Sequence, residues 1–326
     1  MLEIIGIKAV GVALVLGIFV ALALLLRLLF GPKGRFRDAH WDAPEDAAKG
    51  RADEQTVGKE HRADGDIEAL RRAFDAHARG FYGTDVSVDA QLDLKRRHTD
   101  NVVAAAREIA RREAVFADPT RHRALIAAAL FHDVGRFQQL RDYKTYADAL
   151  SCNHALLGAK ILRREGFTRD EPPVIRRLVG IAVALHNRVT VPGGVMGDAR
   201  IVLEGLRDAD KLDILRVLAE HLGPGTEPDP VVVMHLKTEG GVSPAIKEAF
   251  AARRAARYAD MRTLNDFRML VCTWLFEFHF SSSLALLAQS GNLETITAGM
   301  DTAPDEQAEA RRLADEFLEP FRKSGV

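Results

Sequence analysis

Residues 127–137 read Ala127-Ala-Ala-Leu-Phe-His-Asp-Val-Gly-Arg-Phe137, an apolar helical run that ends on His132 and Asp133 side by side and then meets Gly135. Gly135 is expected to break the helix there. Adjacent imidazole and carboxylate suit a divalent metal, because the ring offers a neutral nitrogen and the carboxylate can bind one ion or bridge two. A single His-Asp pair carries little weight by itself. Its company carries more: His98 lies upstream, and His154, His186 and Asp210 lie downstream, each at the inner edge of an expected helix.

Working outward, the apolar spacing predicts helices throughout. Ile67, Leu70, Phe74 and His77 share one stripe, and Leu94, His98, Val102 and Ile109 share another in a helix over about 88–112. Pro119 opens the helix that reaches His132. Residues 138–150 read as an irregular loop over a pocket. Asn153 or Ser151 caps a helix carrying His154, Leu157, Gly158 and Ile161, which Gly166 ends. Pro172-Pro173 starts the helix that leads to His186, and 191–197 is a Gly-rich loop. Ile201, Leu203 and Leu206 lead into Asp208-Ala-Asp210-Lys211-Leu-Asp213 and a helix beyond. From Ser243 to about Leu287 a core-closing helix is expected, and a last amphipathic helix over about 304–321. No strand run exceeds Val231–Met234. The expected fold is all-α, with a helical domain over 66–326 that has its core at about 90–225 and a C-terminal helical extension over 243–326.

The amino-terminal end differs in kind. Every residue from Ala9 to Leu26 is apolar or Gly, and the run resumes through Leu28, Leu29 and Phe30. Such a length can cross the ~30 Å hydrocarbon core. Arg27, Lys33, Arg35 and Arg37 follow it, which predicts a single transmembrane anchor (1–30) with the remainder cytoplasmic. A cleaved signal peptide is the competing reading, but Phe30-Gly31-Pro32-Lys33 is no small-x-small site. A run that is not translated, leaving a soluble cytoplasmic enzyme, is another. Fractionation of an end-tagged chain separates these readings. Residues 31–65 read as a flexible polar linker.

Composition removes some classes. A formal net charge of −1, with acids interleaved among the Arg-rich patches, gives no argument for a nucleic-acid partner. Two cysteines without CxxC spacing make no disulfide framework and point to a reducing compartment. Cys152 beside His154 lacks a third group to orient a nucleophilic pair.

A packed core histidine is the ordinary reading of His98 alone; the ordered set favours metal. Buried carboxylates and imidazoles need compensation, and coordination supplies it. His98, His132, Asp133 and Asp210 form the first-metal set. His154 and His186 are candidates for a second ion, with Asp133 bridging. Two ions about 3.5–4 Å apart would clamp a phosphate and activate a water. Nitrogen and oxygen donors suit Mn, Fe, Co, Ni, Mg or Zn, and the lack of thiolates argues against a closed structural zinc site.

The order His98 … His132-Asp133 … Asp210, with Phe-His-Asp-Val-Gly-Arg and Ala-Asp-Lys-Leu around it, resembles the HD superfamily of metal-dependent phosphohydrolases over roughly residues 90–225. The resemblance implies an HD-type helical bundle, one or two divalent ions, and His98, His132, Asp133 and Asp210 as first-metal ligands. Asp210, not Asp208, occupies the family's Ala-Asp-x-Leu position. Asn153-His154 and Leu185-His186-Asn187 are similar to the extra histidines of the branch that degrades cyclic di-GMP. That branch carries His-His-Glu and Gly-Tyr-Pro, which this chain lacks; the departure counts against that substrate and leaves a two-metal centre open. Arg136 and Lys211, each near a ligand, are expected phosphate contacts, with pairing to Asp142 or Asp148 (Arg136) and Asp208 (Lys211) as the alternative. The expected activity is hydrolysis of a small phosphomonoester or nucleotide-like phosphodiester, with Asp133, Arg136 and Lys211 as catalytic residues. The rival is a regulatory module that binds metal or nucleotide without turnover. Sequence leaves the oligomeric state open.

Overall fold

A computed structural model describes residues 67–226, 236–302 and 304–322. The expected anchor and linker, and the Val231–Met234 run, lie outside the described residues. Among the described residues the chain is helical, with one isolated bridge between Lys237 and Thr263 and no strand. No helix among them is long and apolar enough to cross a membrane.

The organising element is the helix from Pro119 to Phe131. Its start is local chemistry: Pro119 opens it, and the Asp118 side chain accepts from Arg121 N at 2.9 Å. Its interior is tertiary: every residue from Ala124 to Phe131 is buried. A helix that is apolar all round can only sit inside a fold. In chain order the helices are α1 (Ile67–Arg79), α2 (Val86–Arg112), α3 (Pro119–Phe131), α4 (Val134–Tyr143), α5 (His154–Glu165), α6 (Pro173–Leu185) and α7 (Gly197–Leu222). Helices α1, α2, α6 and α7 pack around α3, α5 packs on α4 and α6, and α2 lies along α7. Side chains such as Phe74, Ile109, Leu125, Leu130, Val179 and Leu206 fill the space between them. Each such side chain contributes about 1.5–3 kcal/mol relative to exposure.

Two expectations are corrected here. Gly135 does not end a helix: the break falls on His132 and Asp133, and Gly135 lies in the first turn of α4, which runs through Tyr143. Only about 144–153 is irregular. Glycine is required at 135 by packing, since a Cβ there would stand 2.3 Å from His154 O and 2.7 Å from Gly158 N. It is the close approach of α4 to α5. The second correction concerns 243–287, which is not one helix. It divides into α8 (Pro244–Ala251), α9 (Leu264–Cys272) and α10 (Ser281–Ser290), with short 3-10 turns at Tyr258–Asp260 and Thr273–Glu277. Thr263 and Asp266 form a reciprocal capping box that starts α9. The α9 turn still closes the core, with Phe267, Leu270 and Val271 buried. Two further helices follow, α11 (Asn292–Ala298) and α12 (Pro304–Arg322).

Candidate metal centre

Five elements bring the candidate ligands together. His98 comes from the middle of α2, His132 and Asp133 from the break between α3 and α4, His154 from the first turn of α5, His186 from the end of α6 and Asp210 from α7. They form two groups. His98, His132 and Asp210 make the first: His98 Nε2 stands 3.2 Å from His132 Nε2 and 3.1 Å from Asp210 Oδ1. Asp133, His154 and His186 make the second, with the two histidine Nε2 atoms 3.1 Å apart.

Asp133 faces both. Its Oδ1 is 3.4 Å from His154 Nε2 and 3.8 Å from His186 Nε2, while its Oδ2 is 3.7 Å from His132 Nε2 and 3.8 Å from His98 Nε2. Donor atoms that share an ion at about 2.1 Å stand roughly 3.0–3.4 Å apart, so each group is close to the size of one coordination shell.

The backs of the rings settle the tautomers. His132 Nδ1 is 2.8 Å from Ala129 O and His186 Nδ1 is 2.9 Å from Val183 O, carbonyls that can only accept. His98 Nδ1 meets Asp213 Oδ2 at 2.7 Å, and His154 Nδ1 meets Asp148 Oδ2 at 2.7 Å. All four rings therefore donate from Nδ1 and aim Nε2 inward. Four inward Nε2 atoms and two carboxylates, once His98 gives up the proton it shares with Asp210, make a donor set that fits divalent ions. Asn101 donates to the other oxygen of Asp213 at 2.9 Å, and Asn187 and Gln139 donate to Asp148 at 3.2 and 2.9 Å.

Electrostatics follow from burial and charge. Burial pulls His98 down, but its hydrogen bonds to Asp210 and Asp213 prevail and lift it to about 9. Burial lowers His132, and burial with the neighbouring His154 and His132 takes His186 down to about 3. Burial acts to raise Asp133, yet Lys95 and the surrounding positive groups hold it well below the usual carboxylate range. Asp210 is likewise held low against its burial, chiefly by the hydrogen bond from His98.

The two expected phosphate contacts are turned to the protein. Arg136 is buried and its Nη1 donates to Gln139 Oε1 at 2.8 Å, Tyr146 O at 2.5 Å and Asp148 Oδ1 at 3.0 Å. Its Nε lies 3.4 Å from Asp133 Oδ1, so its charge stands beside the carboxylate of the second group. Pairing with Asp148, the alternative given above, is what the structure contains. Lys211 Nζ donates to Glu277 O at 3.0 Å and lies 3.5 Å from the Glu277 carboxylate, not against Asp208. Asp208 accepts from His279 N and Phe280 N, at 2.9 and 3.0 Å, and fastens the C-terminal extension to α7. Asp210, one residue past the next, is the acid that faces the histidines.

Sequence reasoning missed Lys95, Asp148 and Asp213. Lys95 lies three residues before His98, and Asp213 three after Asp210, so helical spacing placed both on the ligand faces. Asp148 sits in a loop and had no such signal. The family model described as HD domain matches residues 96–226. No curated protein and no solved structure matches the chain.

Proposed function

Residues 96–226 are an HD domain, and from that premise we propose that the protein is a metal-dependent phosphohydrolase. Its substrate class is a phosphomonoester or a nucleotide-like phosphodiester, and in this reading the domain is carried on the cytoplasmic side of a membrane anchor formed by residues 1–30. The observation that carries the reading is the arrangement of four histidines whose Nδ1 atoms are all tied to acceptors while their Nε2 atoms converge around Asp133 and Asp210. Ring nitrogens that converge on two carboxylates from four helices supply the nitrogen and oxygen donors that a divalent ion takes.

His98, His132 and Asp210 would hold one divalent ion, and Asp133, His154 and His186 a second. Such ions supply Lewis acidity toward a phosphoryl oxygen and make a bound water acidic. The chain's own residues do the rest. Asp133 presents one oxygen to each group and so fixes their separation. Asp213 and Asp148 hold the His98 and His154 rings in the tautomer that leaves Nε2 free. Burial of every ligand but Asp210 limits access of bulk water, which strengthens the charge interactions inside.

Phosphate release by the chain from a panel of nucleotides, phosphomonoesters and cyclic dinucleotides, each with Mn²⁺, Co²⁺, Ni²⁺, Mg²⁺ and Zn²⁺, tests the reading. Turnover that needs metal and disappears in Asp133→Ala is the expected result. Turnover that survives in that variant with metal content unchanged would remove Asp133 from catalysis. No turnover with any pairing would favour the regulatory alternative.

A further inference from the structure

We propose that Lys95 is the side chain that binds the substrate's phosphoryl group, a role that rests on the phosphohydrolase reading. Lys95 lies one helical turn before His98 on α2, so both project from the same face. The side chain is buried, and its Nζ donates to Asp133 Oδ2 at 2.8 Å. An ammonium has three N–H donors. Among the described residues the Asp133 bond is its one hydrogen bond, and the Tyr146 ring lies 5.5 Å from Nζ. Two buried donors beside a metal-ligand carboxylate are thus left for something the protein does not supply.

The neighbouring cations are differently placed. Arg136 Nη1 donates to Gln139, Tyr146 and Asp148, and Lys211 donates to the Glu277 carbonyl; neither donates to a candidate ligand, as Lys95 does to Asp133. Arg207 Nη1 donates to the carbonyls of His186 and Arg188. Lys95 compensates the charge of Asp133 through one of its three N–H groups, and Arg136 stands 3.4 Å from the other oxygen of that carboxylate.

Exposure points the same way. The side chains of His132, His186, Asp133 and His154 are 0–5% exposed, whereas Lys95, His98 and Asp210 are 8%, 10% and 17% exposed. The least buried side chains of the cluster thus lie on α2 and α7, with Lys95 among them. An anion entering there meets the first ligand group on one side and the Lys95 donors on the other. A second consequence has a definite sign. The ammonium repels an ion in the first group, so it weakens metal binding in the absence of an anion and favours ion and phosphate arriving together.

The experiment compares the unmutated chain with Lys95→Met and Lys95→Gln, using Mn²⁺ alone and then inorganic phosphate on the Mn²⁺-loaded protein, both followed by calorimetry. Lys95→Gln keeps a donor for Asp133 and loses the charge, which serves if Lys95→Met does not fold. We expect Mn²⁺ affinity equal to or higher than that of the unmutated chain, and phosphate affinity lower by about tenfold or more, the size of a lost charged hydrogen bond. Lys95→Arg should restore phosphate binding in large part. Unchanged phosphate affinity in Lys95→Gln overturns the proposal. So does a parallel loss of Mn²⁺, which would make Lys95 a support for Asp133 only. Phosphate binding is read without turnover, so an unmutated chain that binds Mn²⁺ and phosphate yet hydrolyses nothing would refute the phosphohydrolase reading and leave the Lys95 contact standing.

Discussion

Two kinds of acceptor hold the four imidazoles, and the difference has consequences. His132 and His186 donate to backbone carbonyls three residues earlier, at the ends of α3 and α6, so their orientation is a by-product of helix termination. His98 and His154 donate to the carboxylates of Asp213 and Asp148, which substitution can remove. Partners of this kind, one bond beyond the ion, typically change metal affinity by about 10–100-fold. Asp213→Ala is therefore expected to weaken Mn²⁺ binding to the first group by about that factor and to leave the second group nearly unchanged. The comparison is made at several pH values below about 8, because His98, raised by its two carboxylates, binds a proton that competes with the ion. Equal affinities in the two proteins would mean that packing alone orients the His98 ring.

At the scale of elements, the site is made by helix ends. Pairs of helices meet where α3 hands over to α4 and where α5 begins, and Gly135 sets how closely α4 and α5 approach. Gly135→Ala would push His154 O away, and overpacking of this kind destabilises by about 1–3 kcal/mol. Since His154 moves with α5, the second ligand group should lose metal affinity before the first. Gly158→Ala is the contrast: its Cβ would make only ordinary contacts at 3.4 Å, and thermal melting should detect little change. Equal melting losses in both would place the crowding elsewhere.

These elements also show what could be read from the sequence. The ligands were legible because each is a His or Asp at the end or on the inner face of an apolar helical pattern, and burial makes such residues informative. Gly135 was misread because glycine's conformational freedom and its small size give the same letter; only the neighbouring helix distinguishes them. Lys95 and Asp213 were on legible faces, but which donor meets which acceptor is a tertiary fact. Asp148 pairs with His154 across a loop whose path no periodicity encodes. The break-up of 243–287 was hidden because its short helices are as apolar as one long one would be.

The whole molecule couples these parts through protons. Asp208 holds the C-terminal extension on α7 two residues from Asp210, so the domain core and the extension share the helix that closes the site. In the metal-free protein, His98 is raised to about 9 in the fold against about 6.5 unfolded, so its stabilisation is complete below 6.5 and lost as pH rises toward 9. His132 is lowered and His186 is lowered to about 3, so their burial favours folding above 6.5 and opposes it increasingly as pH falls below that value. The depressed carboxylates Asp133, Asp210 and Asp213 add a further loss only once pH falls below their unfolded value, near 4. Melting temperatures of the metal-free chain should therefore pass through a maximum near pH 6.5 and decline on both sides. Saturating Mn²⁺ takes the place of the His98 proton, so it should remove the alkaline decline and raise stability most above pH 6.5. An alkaline limb that persists unchanged with Mn²⁺ present would show that the ion does not displace the His98 proton, and the first ligand group would then lose its assignment.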